Sequence, residues 1–216
     1  MQVIPFKGIT IRKNVRFCIK LHNYMQKLLI VGCLLLNYIG FAQSTFQERL
    51  SSAALKLTNQ QVTYDPSYFS MAYPNGDVPE GRGVCTDVVI RAYRELAIDL
   101  QKEVHEDMVN NFSVYPKIWG LTKTDKNIDH RRVPNLMIFF ERNGVEKPIT
   151  QNAIDYQPGD IVCWNLGGAI THIGLIVDRK SADGKRNLVV HNIGGGQVLD
   201  DCLFDYRIIG HYTYHK

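Results

Sequence analysis

The residues best suited to chemistry are a cysteine and two histidines. Cys85 follows a run of turn-permissive residues, Pro79-Glu80-Gly81-Arg82-Gly83, and precedes apolar residues at helical spacing: Val88, Val89, Ala92, Tyr93 and Leu96. That pattern predicts a buried helix whose first turn carries the thiol. At such a position unpaired backbone N–H groups and the positive end of the helix dipole favour thiolate over thiol. His172, in Thr171-His172-Ile173-Gly174-Leu175-Ile176-Val177, lies near the start of a predicted strand, and His191 lies in the next one, Leu188-Val189-Val190-His191-Asn192. If the two strands pair with odd residues opposite even ones, His191 falls opposite Gly174 and diagonal to His172. The imidazoles then share a face within side-chain reach, whereas a slip of one residue would separate them. The chemistry is that of a cysteine hydrolase. Cys85 attacks a carbonyl, His172 takes and returns the proton, and His191 sets the tautomer of His172. The amide of Cys85 is placed to stabilise the oxyanion.

The elements that must position these groups divide into helices first and strands afterwards. Phe46, Leu50, Ala53, Ala54 and Leu57 predict an amphipathic helix, Leu100–Phe112 a further one, and Val133–Asn143 another after an irregular stretch. Gln157-Pro158-Gly159-Asp160 reads as a type II turn with Pro second and Gly third. It feeds a strand at Ile161–Trp164, followed by strands at Thr171–Asp178, Asn187–Asn192 and Arg207–Tyr214. Helices followed by an antiparallel sheet predict an α+β domain.

The chain has 216 residues, 45% hydrophobic and 21% charged, which suits one globular domain and a leader. Its formal charge of +4 owes much to the basic first 27 residues. No basic run alternates with aromatics, so no nucleic-acid partner is expected. From Met25, a short basic start, the apolar stretch Leu28–Phe41 and the small residues Gly40 and Ala42 form a signal-peptide pattern. Translation is expected from Met25, and export with cleavage after Ala42. That leaves residues 43–216 as a single domain, expected to be a monomer with no membrane span, periplasmic or secreted. Cys85, Cys163 and Cys202 remain in it, and either a Cys163–Cys202 disulfide or three free thiols fits that count.

Beyond these single-residue patterns, two levels of resemblance stand out. The helix-opening cysteine, Pro-Gly-Asp-Ile-Val-Cys-Trp (158–164), Thr-His-Ile-Gly-Leu-Ile-Val (171–177) and the following strand histidine resemble the NlpC-type peptidoglycan cysteine peptidases of the papain-like superfamily. More narrowly, Cys-Thr-Asp-Val-Val (85–89), Asn-Ile-Asp-His-Arg-Arg-Val-Pro-Asn (127–135), Gly-Asp-Ile-Val-Cys-Trp-Asn-Leu-Gly (159–167) and Val-His-Asn-Ile-Gly-Gly-Gly (190–196) are similar to an exported bacterial family labelled a domain of unknown function, DUF1287. The cysteine context departs from the NlpC pattern, with Val84 in place of Asp before Cys85 and Thr86-Asp87 in place of Ser-Gly after it. The resemblance implies a papain-like fold, an amide bond of a peptidoglycan stem peptide as substrate, and no cofactor.

His130, Arg131 and Arg132 are candidates to clamp stem-peptide carboxylates bidentately, or else to make structural ion pairs with Asp125, Asp129 or Glu141. Trp164 and Asn165 are candidates for the edge of the cleft, a packed Trp being the alternative. Asp87 suits the first turn of a helix and is given no catalytic role. Gly194-Gly195-Gly196 lacks the Lys-Ser/Thr of a phosphate loop and reads as a flexible connection. Two other functions compete with the hydrolase: a catalytically silent wall-binding module, and a zinc hydrolase with Cys85, His172 and His191 as ligands.

Overall fold

A computed structural model of the chain describes residues 44–216, together with Gln2, His22 and the stretch 24–26. The chain divides into two units, Met1–Gln43 and Ser44–Lys216. The apolar stretch Leu28–Phe41 of the signal-peptide pattern and the expected cleavage after Ala42 lie outside the described residues, and the second unit holds the helices and strands described below.

Its first helix, α1 (Phe46–Leu57), starts at a reciprocal cap. The Thr45 hydroxyl accepts from the Glu48 amide at 3.2 Å, and the Glu48 carboxylate accepts from the Thr45 amide at 2.7 Å. The stripe Leu50, Ala53, Ala54 and Leu57 is buried. Two short strands, β1 (Thr63–Tyr64) and β2 (Arg82–Gly83), then pair in parallel, setting Tyr64 beside Gly83. Helix α2 (Cys85–Arg94) comes directly after, then α3 (Leu100–Asn111) with Asp99 as its cap, and α4 (Val133–Asn143), whose Pro134 suits a first turn.

The rest is a six-stranded sheet. Its strands are β3 (Val145–Glu146), β4 (Ile161–Gly167), β5 (Ile170–Lys180), β6 (Asn187–His191), β7 (Val198–Asp200) and β8 (Arg207–Thr213). They lie in the order β3-β8-β4-β5-β6-β7, every neighbour antiparallel. The fold is α+β, with the helices on the antiparallel sheet. The turn before β4 has the expected form: the Asp160 amide donates to the Gln157 carbonyl at 3.0 Å, and Gly159 takes a φ of 87°, which favours glycine. β3, β7 and the β1–β2 pair were not expected, because two or three residues are too few to show an alternation.

The sheet is buried on both faces. Ile161, Cys163, Ile173, Leu175, Val177 and Val190 pack against the helices, while Val162, Trp164, Ile176 and Val189 pack with Tyr156, Leu203 and Ile208 on the other side. Each such side chain contributes about 1.5–3 kcal/mol by leaving water. The two layers also decide the cysteines. Cys163 lies in the helix-side core and Cys202 in the far one, so no disulfide joins them, and Cys85, Cys163 and Cys202 are all free. At the end of the Gly194–Gly196 stretch a Cβ on Gly196 would meet the Val62 carbonyl oxygen at 2.9 Å, and the Gln197 side chain that follows is buried and donates to the Leu57 carbonyl at 3.0 Å.

Candidate active site

Cys85 is the first residue of α2 and is almost fully buried, at 7% exposure. The turn is held from within, because the Asp87 carboxylate accepts the Val84 amide at 2.7 Å. β6 ends at His191, so beyond Gly174 the β5–β6 ladder is open. There the backbone amide of Ile173 faces the Cys85 thiol, joined by the amides of Thr86 and Cys85 itself. These donors favour thiolate, as a helix start should. Burial outweighs them and, with the nearby charge of Asp87, pushes the thiol up to about 11. Among the described residues no hydrogen bond joins Cys85 to His172. The thiol borders a cavity of about 180 Å³ whose walls include Tyr64, Trp119, Ile128, Arg132 and Thr171.

His172 and His191 are brought together. The ladder pairs Leu175 with Val190 and Ile176 with Val189, which sets His191 beside Gly174 and diagonal to His172. His172 Nε2 and His191 Nδ1 are 2.8 Å apart. Glycine at 174 is required by space, since a Cβ there would meet Val189 Cγ1 at 2.7 Å and His191 Cβ at 3.1 Å. Burial, with some help from the neighbouring His191, lowers His172 to about 3; burial also lowers His191, with Asp200 opposing. Both rings are therefore neutral at pH 7. His172 also lies near Trp164, ring centroids 5.8 Å apart, on the face away from the helices. Cys85 meets the sheet from the helix side, at the Ile173 amide, one residue along β5 from His172.

The other sequence candidates separate. Arg131 is not free to clamp a substrate: its Nε and Nη2 donate to the two Asp87 oxygens at 3.0 and 3.1 Å, and Nη1 and Nη2 to the carbonyls of Ser67 and Asp65 at 2.9 and 3.3 Å. Its ionic partner is Asp87, not Asp125, Asp129 or Glu141. His130 is likewise no surface clamp; it is 1% exposed, and burial followed by the charges of Arg131 and Arg94 lowers it to about 3. Among the described residues Arg132 alone of the three borders the cavity without such a partner, its guanidinium 4.4 Å from the Trp119 ring centroid. Trp164 does not edge a cleft; it is 1% exposed and donates from Nε1 to the Leu203 carbonyl at 2.9 Å. Asn165 braces the β4–β5 hairpin, accepting from the Gly167 amide at 2.7 Å and donating to the Gly168 carbonyl at 3.2 Å.

Four residues near the site had escaped sequence reasoning as site residues. Tyr64 reaches the cavity through the β1–β2 pair, and the charge of Cys85 contributes to raising its phenol, after burial. Trp119 takes a positive φ of 62° and is exposed over the cavity. Asp200 and Cys202 face the outer nitrogen of His191, at 3.5 and 3.6 Å from Nε2. The ligand-type atoms gathered at His191 are thus those of Asp200 and Cys202, without Cys85. A strand read at Val198–Asp200 would have revealed them, because Val189 faces Asp200 across the ladder.

Fold and site define an α+β protein whose cysteine-led helix abuts the open end of a sheet carrying a hydrogen-bonded histidine pair. The family model described as Domain of unknown function (DUF1287) matches residues 51–214, and the chain belongs to that family. A relative in Escherichia coli (strain K12), named uncharacterized protein YijF, is 50% identical over 165 residues, 76% of this chain and 80% of that one. Among solved structures, NlpC1 from Trichomonas vaginalis aligns with a TM-score of 0.44 and 13% identity over 81% of this chain. The chain spans 46% of the length of that protein.

Proposed function

We propose that this chain is an exported cysteine hydrolase that cleaves an amide bond in peptidoglycan peptides. The observation that carries the reading is the position of Cys85, at a helix start among three backbone amides and beside a cavity, on the amide of the residue that follows His172 of the histidine pair. His172 Nε2 is committed to His191, which leaves Nδ1 to take the thiol proton. That requires Nε2 of His172 to carry its hydrogen and donate to His191 Nδ1, which is the orienting role of the third residue. Thiol and imidazole both rest neutral, so deprotonation accompanies attack on the carbonyl carbon. Amides of the first turn stabilise the oxyanion, the amine leaves with the proton from His172, and water releases the acyl group by the same base. Arg132, on the cavity wall, offers a guanidinium to a stem-peptide carboxylate. The leader pattern supports export, and the motif resemblance supports the substrate class.

A silent wall-binding module is the second reading, favoured by one observation, the raised pKa of the buried thiol. Digestion of purified peptidoglycan, with the new ends identified by mass spectrometry, decides between them. Hydrolysis should be nearly abolished in Cys85→Ser and His172→Ala, each by about 100- to 10,000-fold, while His191→Ala keeps measurable activity. An active Cys85→Ser, or intact peptidoglycan after exposure to the wild-type protein, would overturn the hydrolase.

A further inference from the structure

We propose that His191, Asp200 and Cys202 form a site for a thiophilic divalent cation, zinc above all, and that its occupancy switches off the histidine base. The switch rests on the hydrolase reading; the site does not.

The topology brings the three together. In the β6–β7 ladder His191 faces Val198 and Val189 faces Asp200, so Asp200 is the diagonal neighbour of His191, and Cys202 comes two residues later. Imidazole nitrogen, carboxylate oxygen and thiol sulfur all lie within 4.8 Å of one another. Tetrahedral zinc with bonds of about 2.0–2.1 Å to N, about 2.0–2.2 Å to O and about 2.3 Å to S needs an N–S edge of about 3.6 Å and an N–O edge of about 3.4 Å. The edges present are 3.6 Å from His191 Nε2 to Cys202 Sγ and 3.5 Å from His191 Nε2 to Asp200 Oδ2. A set of one nitrogen, one oxygen and one soft sulfur suits zinc better than magnesium or calcium, and three protein ligands leave a fourth position for water. Asp200 is exposed and supplies the entry path, whereas Cys202 and His191 are buried. Thiolate and carboxylate together match the charge of the ion. Neighbouring Asp201 is occupied with Arg186, at 2.6 Å through each of its oxygens, and does not compete. The inner nitrogen of His191 is already held by His172, the kind of outer partner that fixes a metal-bound imidazole.

That shared bond couples the site to the base. With a cation on Nε2 of His191, the ring hydrogen must sit on Nδ1 and point at His172 Nε2. His172 then carries its own hydrogen on Nδ1, the nitrogen that has to receive the thiol proton. Chelation frees His191 Nε2 to take a hydrogen, reverses the pair and restores the acceptor. On binding, Cys202 gives up its thiol proton to solvent, so uptake releases a proton.

The test uses the purified full chain stripped with a chelator and titrated with Co²⁺, a spectroscopic substitute for zinc. Wild type and Cys85→Ala should both develop a thiolate-to-cobalt charge-transfer band, and Cys202→Ala should not. Asp200→Asn, on an exposed side chain that leaves the fold alone, should weaken binding at least about tenfold. No band in wild type, or a band lost in Cys85→Ala and kept in Cys202→Ala, overturns the site. In the peptidoglycan digest, zinc should stop wild-type hydrolysis, chelator should restore it, and Asp200→Asn should need about tenfold more zinc. A normal band with hydrolysis indifferent to zinc overturns the switch. A normal band with no hydrolysis under any condition upholds the site and overturns the hydrolase together with the switch.

Discussion

Removing the Arg131 guanidinium should unfold the protein far more readily than it alters substrate affinity. The Arg131 and Asp87 side chains are 2% and 4% exposed, and their two-point contact is the buried ion pair behind the cysteine turn. Arg131 also donates to the Ser67 and Asp65 carbonyls, joining the loop before β2, the single helical turn Asp129–Arg131 and the first turn of α2. In Arg131→Met, Asp87 keeps only the Val84 amide, and two backbone carbonyls lose a donor. Leaving one member of a buried pair uncompensated costs about 3–5 kcal/mol. With a urea slope of about 2 kcal/mol per molar, the unfolding midpoint should fall by about 1.5–2.5 M at unchanged slope. Arg131→Lys should lie between, because an ammonium cannot make the two-point contact. Adding Asp87→Asn to Arg131→Met should recover part of the loss, as the stranded charge disappears. A midpoint within about 0.25 M of wild type, the response of an ordinary surface position, would refute this reasoning. It would return Arg131 to the substrate-clamping role suggested by its sequence context.

Two further outcomes rest on the packing. His130 has a pKa of about 3 in the folded chain, against about 6.5 unfolded, so below pH 6.5 the unfolded chain takes up the proton and the folded one does not. The stability due to neutral His130 is complete above that pH and falls with acidification, by about 2 kcal/mol at pH 5. Urea midpoints at pH 7 and pH 5 should therefore diverge more for wild type than for His130→Phe, and equal losses would contradict the burial argument. Gly174→Ala should cost about 1–3 kcal/mol by overpacking against Val189 and His191, read as a lower thermal midpoint, and should also lower hydrolysis by parting the histidines. A variant as stable as wild type would show that the strands do not approach so closely.

Much of the site was legible because it depends on short-range rules. Helical spacing after a turn placed Cys85 at a helix start, and a period of two, with small Gly174 between them, put His172 and His191 on one face. Pro158-Gly159 marked the turn into β4, and apolar spacing marked α1 and α4. What the tertiary structure alone decided is which polar groups lose water and to whom they then bond. Nothing local distinguishes Arg131, drawn inward to Asp87 across 44 residues, from Arg132, left on the cavity wall beside Trp119. Nor does local pattern say that Cys163 and Cys202 fall on opposite sides of one sheet, or that β7, three residues long, carries Asp200 to His191. Side-chain periodicity is a property of one segment. Burial and ion pairing depend on which segments the chain brings together, because a charge is stable in the interior only where a distant partner replaces the water it has lost.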